Sequence, residues 1–341
     1  MSYSRPNETW GYEPPEAAPP AEALGPDRPE EPSRAEVRRA AAEAAAPRRR
    51  ADTGAYRAVG PDGREDHTLP PPAPHLLHRL PALAVVIVVS AGLVLGAQME
   101  RPVYAAGIAV LQIAAVVLVT WVRRIEGAWL TVAVASGLAI AADWVAVTWQ
   151  PVSLLPVTVL LALAFAAAVA GQLARRTHDG VTESLGFTMV LCLAVCGYAC
   201  YIALSRLGSA PPAMYSAVVA AGTAVLAARA VDLVMPDPRI NRQVTRGAFG
   251  IVIGTMCGTA SAAYAGLVIE GPDPRHAAIG GLLIALIAVL SDLACGYMSA
   301  SRRIDGAGAA PNPVVSAAGP LLAFAVTGPV VYLLSAYYMI D

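Results

Sequence analysis

Four ionisable side chains interrupt the apolar stretches of this sequence: Asp143, Arg229, Asp232 and Asp292. Each costs at least about 2.5–3.5 kcal/mol to place in hydrocarbon on insertion scales, so each needs a partner, a wet cavity or a function. Arg229 and Asp232 are three residues apart and share a helical face, where they can pair directly. Asp292 has no Arg three or four positions away, so its partner has to come from another helix, a cation or water. Carboxylates beside guanidinium groups suit a divalent cation that carries a phosphate ligand. Asp232 and Asp292 are therefore the candidate divalent-cation-holding residues. Arg239, Arg242, Arg246, Arg302 and Arg303 are the candidate ligand-binding set. Arginine-rich loops also follow from membrane topology with no ligand at all, and a structural ion pair is the competing reading of Arg229 and Asp232. Asp143, beside Trp144, reads as an interfacial residue outside this cavity.

The elements that must position these groups are membrane spans. The chain has 341 residues, 56% hydrophobic and 14% charged, with a mean hydropathy of +0.54, which excludes an ordinary soluble globular protein. A spanning helix needs about 20 apolar residues. The sequence offers nine such runs, at 80–99, 103–122, 128–149, 152–174, 184–205, 211–235, 247–269, 277–298 and 313–340, which predicts an all-α polytopic bundle over 80–341. With the amino terminus inside, the loops after the even-numbered spans hold nine arginines (Arg123, Arg124, Arg175, Arg176, Arg239, Arg242, Arg246, Arg302 and Arg303) against three outside (Arg101, Arg206 and Arg275). That asymmetry predicts an inner-membrane protein with its carboxyl terminus outside. Pro320 and Pro329 predict a kink or a re-entrant break in the last span.

Residues 1–79 hold 11 Arg, 13 acids and 14 of the 28 Pro, and are expected to be a disordered cytoplasmic tail without a signal peptide. Arg38, Arg39 and Arg48 to Arg50 could anchor to anionic lipid, but the acids outnumber the arginines across the tail. All 24 residues of the Lys+Arg total are arginine, which excludes lysine chemistry. Cys192, Cys196 and Cys200 share a helical face with no interleaved His, so they read as small buried apolar residues rather than a metal site. Small-residue runs at Ala220 to Gly222, Gly254 to Ala263 and Gly280-Gly281 favour close helix packing. No nucleic-acid surface is apparent. The expected partners are membrane lipid, anionic phospholipid among them, and a second copy of the chain in a homodimer.

Leu290-Ser291-Asp292-Leu293 followed by Met298 to Arg303 is similar to the Gly-Asp-Leu-x-Glu-Ser-x-x-Lys-Arg segment of the phosphatidate cytidylyltransferases, membrane enzymes that make CDP-diacylglycerol from CTP and phosphatidate. Thr245 to Gly250 resembles that family's Lys-Thr-Trp-Glu-Gly-Phe segment, and Pro313 to Leu334 its final helix. The resemblance covers residues 75–340 and is closest to the actinobacterial branch. It implies that Asp292 is the family's aspartate and that Asp232 with Asp292 would hold Mg²⁺ against CTP. Cys295 stands in place of the family's Glu, Gly296 in place of Ser, and Ser299-Ala300 in place of Lys-Arg, while Gly306 to Pro313 lacks the Pro-Gly-His-Gly-Gly run. Phosphate chemistry depends on such fixed charges. The resemblance therefore implies a diverged member that either binds lipid or nucleotide without turnover or uses a rearranged catalytic site. The alternatives are a small-molecule transporter or a membrane scaffold.

Overall fold

The computed structural model describes residues 76–123, 128–175, 180–208, 210–235, 238, 247–269, 273–304 and 313–338. The expected tail therefore lies outside the described residues up to position 75, as do Arg239, Arg242 and Arg246. Among the described residues there are nine helices and no strand: α1 (Leu76–Gly96), α2 (Arg101–Arg123), α3 (Ala128–Thr148), α4 (Leu155–Leu173), α5 (Val181–Ser205), α6 (Pro211–Val234), α7 (Ala248–Val268), α8 (Pro274–Ile304) and α9 (Pro313–Tyr338). Eight of them are long and apolar enough to cross a bilayer, and α1 contributes a further, shorter apolar stretch, Leu80–Gly96. The protein is thus an integral membrane helical protein. Helix α8 runs past the predicted end at 298 and carries Arg302 and Arg303 in its last turn.

Trp129 and Trp149 are both exposed and twenty positions apart, which at 1.5 Å per helical residue spans about 30 Å, the thickness of a hydrocarbon core. Indole rings favour the lipid–water boundary, and this spacing suits Trp129 and Trp149 to its two edges.

The helices form two groups. In one, α6, α7 and α8 pack on one another, and α9 packs on α8 and α1; in the other, α3 lies against α2, α4 and α5. Helix α9 joins the two, since it also packs on α5. Lipid offers no hydrophobic advantage for helix association, so the contacts rely on small residues and interhelical hydrogen bonds. Gly250, Gly254 and Gly258 form a row on α7 against Ala228, Ala224 and Ala220 of α6: a Cβ on Gly254 would lie 2.6 Å from the Ala224 carbonyl oxygen, and one on Gly258 2.7 Å from that of Ala220. Thr223 and Ser261 hydroxyls pair across the same helices at 2.6 Å. Thr131 and Thr188 pair at 2.8 Å between α3 and α5.

Helix α9 is continuous through both prolines, contrary to the expected break. A proline leaves the carbonyl four residues back without its helical donor. Here those are Ser316 and Ala325. Ser316 O accepts from Arg229 of α6 instead, and Ala325 O packs directly against Gly197 of α5, where any Cβ would overlap it. Two α5 tyrosines anchor the same stretch. The Tyr198 hydroxyl donates to Leu321 O at 2.8 Å and that of Tyr201 to Phe324 O at 3.0 Å.

Candidate functional site

The carboxyl-terminal ends of α6 and α8 meet the amino-terminal ends of α7 and α9, and the buried charges gather there. Arg229 on α6 grips Asp292 on α8 with both arms: Nε donates to Oδ2 at 3.0 Å and Nη2 to Oδ1 at 2.5 Å. Nη2 also donates to Ser316 O on α9 at 3.0 Å. The Asp292 side chain is 1% exposed and that of Arg229 12%. Two parallel N–H···O bonds match the planar guanidinium to the planar carboxylate, which fixes three helices relative to one another. Gly319 on α9 makes room, since a Cβ there would overlap Asp292 Oδ1 and lie 2.9 Å from Arg229 Nη2.

Arg229 therefore does not take its sequence neighbour Asp232, as helical spacing suggested. Asp232, 1% exposed, accepts the backbone N–H of Gly247 through Oδ1 at 2.9 Å. Gly247 is the N-cap of α7 and has no side chain to bond the orphan amides of its own helix. Asp232 supplies an acceptor from α6 instead, and its negative charge sits at the positive end of the α7 dipole. Gly250, one turn into α7, permits the approach: a Cβ there would lie 2.8 Å from Asp232 Cγ and closer still to Oδ1.

Of the candidate residues, Asp232 and Asp292 are thus brought to one end of the same four helices. The partner of Asp292 is a guanidinium from another helix, one of the three sources its sequence context allowed. The segment with Arg239, Arg242 and Arg246 joins α6 to α7 at this end but lies outside the described residues, and Arg302 and Arg303 fall ten and eleven positions beyond Asp292 on α8. Among the described residues no group of three or more His, Cys, Asp or Glu could hold a metal ion. For Mg²⁺ to sit between Asp232 and Asp292 it would have to displace Arg229 from both Asp292 oxygens, so the donor set as folded fits a self-neutralised pair better than a dication site.

Asp143 faces the helix bundle rather than the outside of it. Adjacent helical residues point about 100° apart, and here Trp144 takes the exposed face while Asp143 turns inward, 5% exposed. Its Oδ1 accepts from Gln112 Nε2 of α2 at 3.0 Å, and the same nitrogen donates to Val195 O of α5 at 3.1 Å. Gln112, Tyr198 and Tyr201 escaped the sequence reading. The available signal was a polar group in an otherwise apolar span, which must find a partner inside the bundle.

Cys192, Cys196 and Cys200 are buried, as their apolar context suggested. No family model, no curated protein and no solved structure matches this chain.

Proposed function

We propose that this membrane protein holds the phosphate headgroup of an anionic phospholipid at the end of α6 to α9, as a non-catalytic relative of the phosphatidate cytidylyltransferases in the inner membrane. The observation that carries this reading is the two-armed closure of Arg229 on Asp292. It occupies the carboxylate that the family resemblance would assign to metal, while leaving the arginine-bearing segments at the same end to meet phosphate. Binding without turnover is what remains when the metal-holding acid is neutralised by protein and the other fixed charges of the family are replaced. In this reading Arg239, Arg242, Arg246, Arg302 and Arg303 face the cytoplasmic leaflet, where each basic residue near anionic lipid contributes about 1 kcal/mol.

The test uses the full chain purified in nanodiscs of phosphatidylcholine doped with phosphatidate. Saturable retention of phosphatidate over phosphatidylcholine is expected, weakened severalfold by Arg302→Ala with Arg303→Ala. No CDP-diacylglycerol should form from CTP with Mg²⁺ present. Equal retention of both lipids removes the headgroup reading, and CTP-dependent product that Asp292→Asn abolishes replaces it with the enzymatic one.

A further inference from the structure

The buried pair Asp143 and Gln112 leaves two atoms unexplained. Asp143 Oδ2 and Gln112 Oε1 are both buried without a hydrogen-bond donor, although the two side chains are already bonded to each other through Nε2 and Oδ1. Gln112 is 1% exposed. Both hydrogens of its amide nitrogen are spent, one on Asp143 and one on Val195 O. With an ionised Asp143, the remaining two oxygens can only accept, and two orphan acceptors on a single buried pair are what folded proteins avoid.

No charged group offsets a carboxylate here. Helices α2, α4 and α5 pack against α3. Helix α4 has no ionisable residue, α2 offers Tyr104 two turns from Gln112 and arginines only at its ends, and α5 brings the thiol of Cys196 to the same cluster. Arg206 lies just beyond α5. Its Nη1 is given instead to the carbonyl oxygens of Ala146 at 2.7 Å and Trp149 at 2.9 Å.

We infer that Asp143 and Gln112 form a proton-binding site in which a proton on Asp143 Oδ2 is donated to Gln112 Oε1. One added hydrogen satisfies both orphan oxygens and removes the net charge. With the existing Nε2–H···Oδ1 bond it closes a planar acid–amide ring, and the outer amide hydrogen is left for Val195 O, as observed. The ligand is a proton held between three spans. This site is separate from the Arg229 end of the molecule and does not depend on the headgroup reading.

Infrared spectroscopy of the full chain in nanodiscs, in H₂O and D₂O at neutral pH, tests this. The expected result is a carboxylic-acid C=O band that shifts in D₂O, vanishes in Asp143→Asn and moves to higher frequency in Gln112→Leu, which keeps the acid but removes its acceptor. Asp143→Asn should still fold, with only a modest drop in unfolding temperature, because one Nδ2–H replaces the acid O–H in the ring while the second is left without an acceptor. A missing band, a band that Gln112→Leu leaves in place, or an Asp143→Asn protein that fails to fold overturns the site. A wild-type unfolding temperature that rises in Na⁺ relative to choline, with no such response in Asp143→Asn, also overturns it and assigns a bound metal cation instead.

Discussion

The guanidinium of Arg229 on α6 bonds the carbonyl oxygen of Ser316 on α9 at 3.0 Å, and Ser316 is the residue whose helical donor Pro320 removes. A proline-induced defect in one helix is thereby repaired by a charge from another. Because the same guanidinium closes on Asp292, one side chain ties α6, α8 and α9 together. Losing it would remove two hydrogen bonds from a buried carboxylate and one from a backbone carbonyl at once.

Arg229→Met is accordingly expected to cost about 3–5 kcal/mol, the range for breaking a buried ion pair from one side. Adding Asp292→Leu should recover most of that loss, since the stranded charge goes with it. Thermal unfolding of the single and double variants in one detergent measures the coupling. Independent, additive losses would show that the pair is not closed in the native protein.

Asp232→Ala is expected to cost about 1–2 kcal/mol, in the range of a lost N-cap, and to fray the first turn of α7. Asp232→Asn keeps an oxygen acceptor for the Gly247 amide and should lose less. Hydrogen exchange at Gly247 to Ile251 distinguishes the two, with faster exchange confined to that turn in the alanine variant.

Gly197→Ala should destabilise by about 1–3 kcal/mol or prevent assembly, because the new methyl overlaps the Ala325 carbonyl of α9, which cannot move aside as a side chain would. Gly107→Ala and Gly137→Ala meet open space and lie inside α2 and α3, so they are expected to be neutral or to gain up to about 1 kcal/mol. The contrast is read from the fraction of monodisperse protein after graded heating.

The arginine asymmetry predicts an orientation with the amino terminus inside. In a background with its five native cysteines replaced, Gly208→Cys, in the turn between α5 and α6, should react with an impermeant maleimide on intact cells. Pro238→Cys, beyond α6, should react only after permeabilisation. Both positions are exposed. The reverse pattern would invert the protein and move the arginine-bearing segments outside.

How far the sequence reading reached can be judged residue by residue. The apolar runs placed eight spanning helices within a few residues of where they lie, because span length and apolarity are local properties that hydrocarbon thickness imposes. The inward role of Asp143 was missed because its neighbour Trp144 carried the stronger local signal. The break expected in α9 was missed because repair of a proline defect depends on donors 87 positions away in sequence, as with Arg229 and Ser316.

What the sequence alone determined is therefore an all-helical membrane protein and the presence of charges that need partners, since hydropathy and the cost of a buried charge are properties of single residues. Partner choice belonged to tertiary structure. Arg229 had Asp232 three positions away and turned to Asp292 instead, because Asp232 was drawn to the α7 amino terminus. Only packing of glycine and alanine faces could bring those helix ends close enough for that exchange, and no local pattern encodes which faces meet.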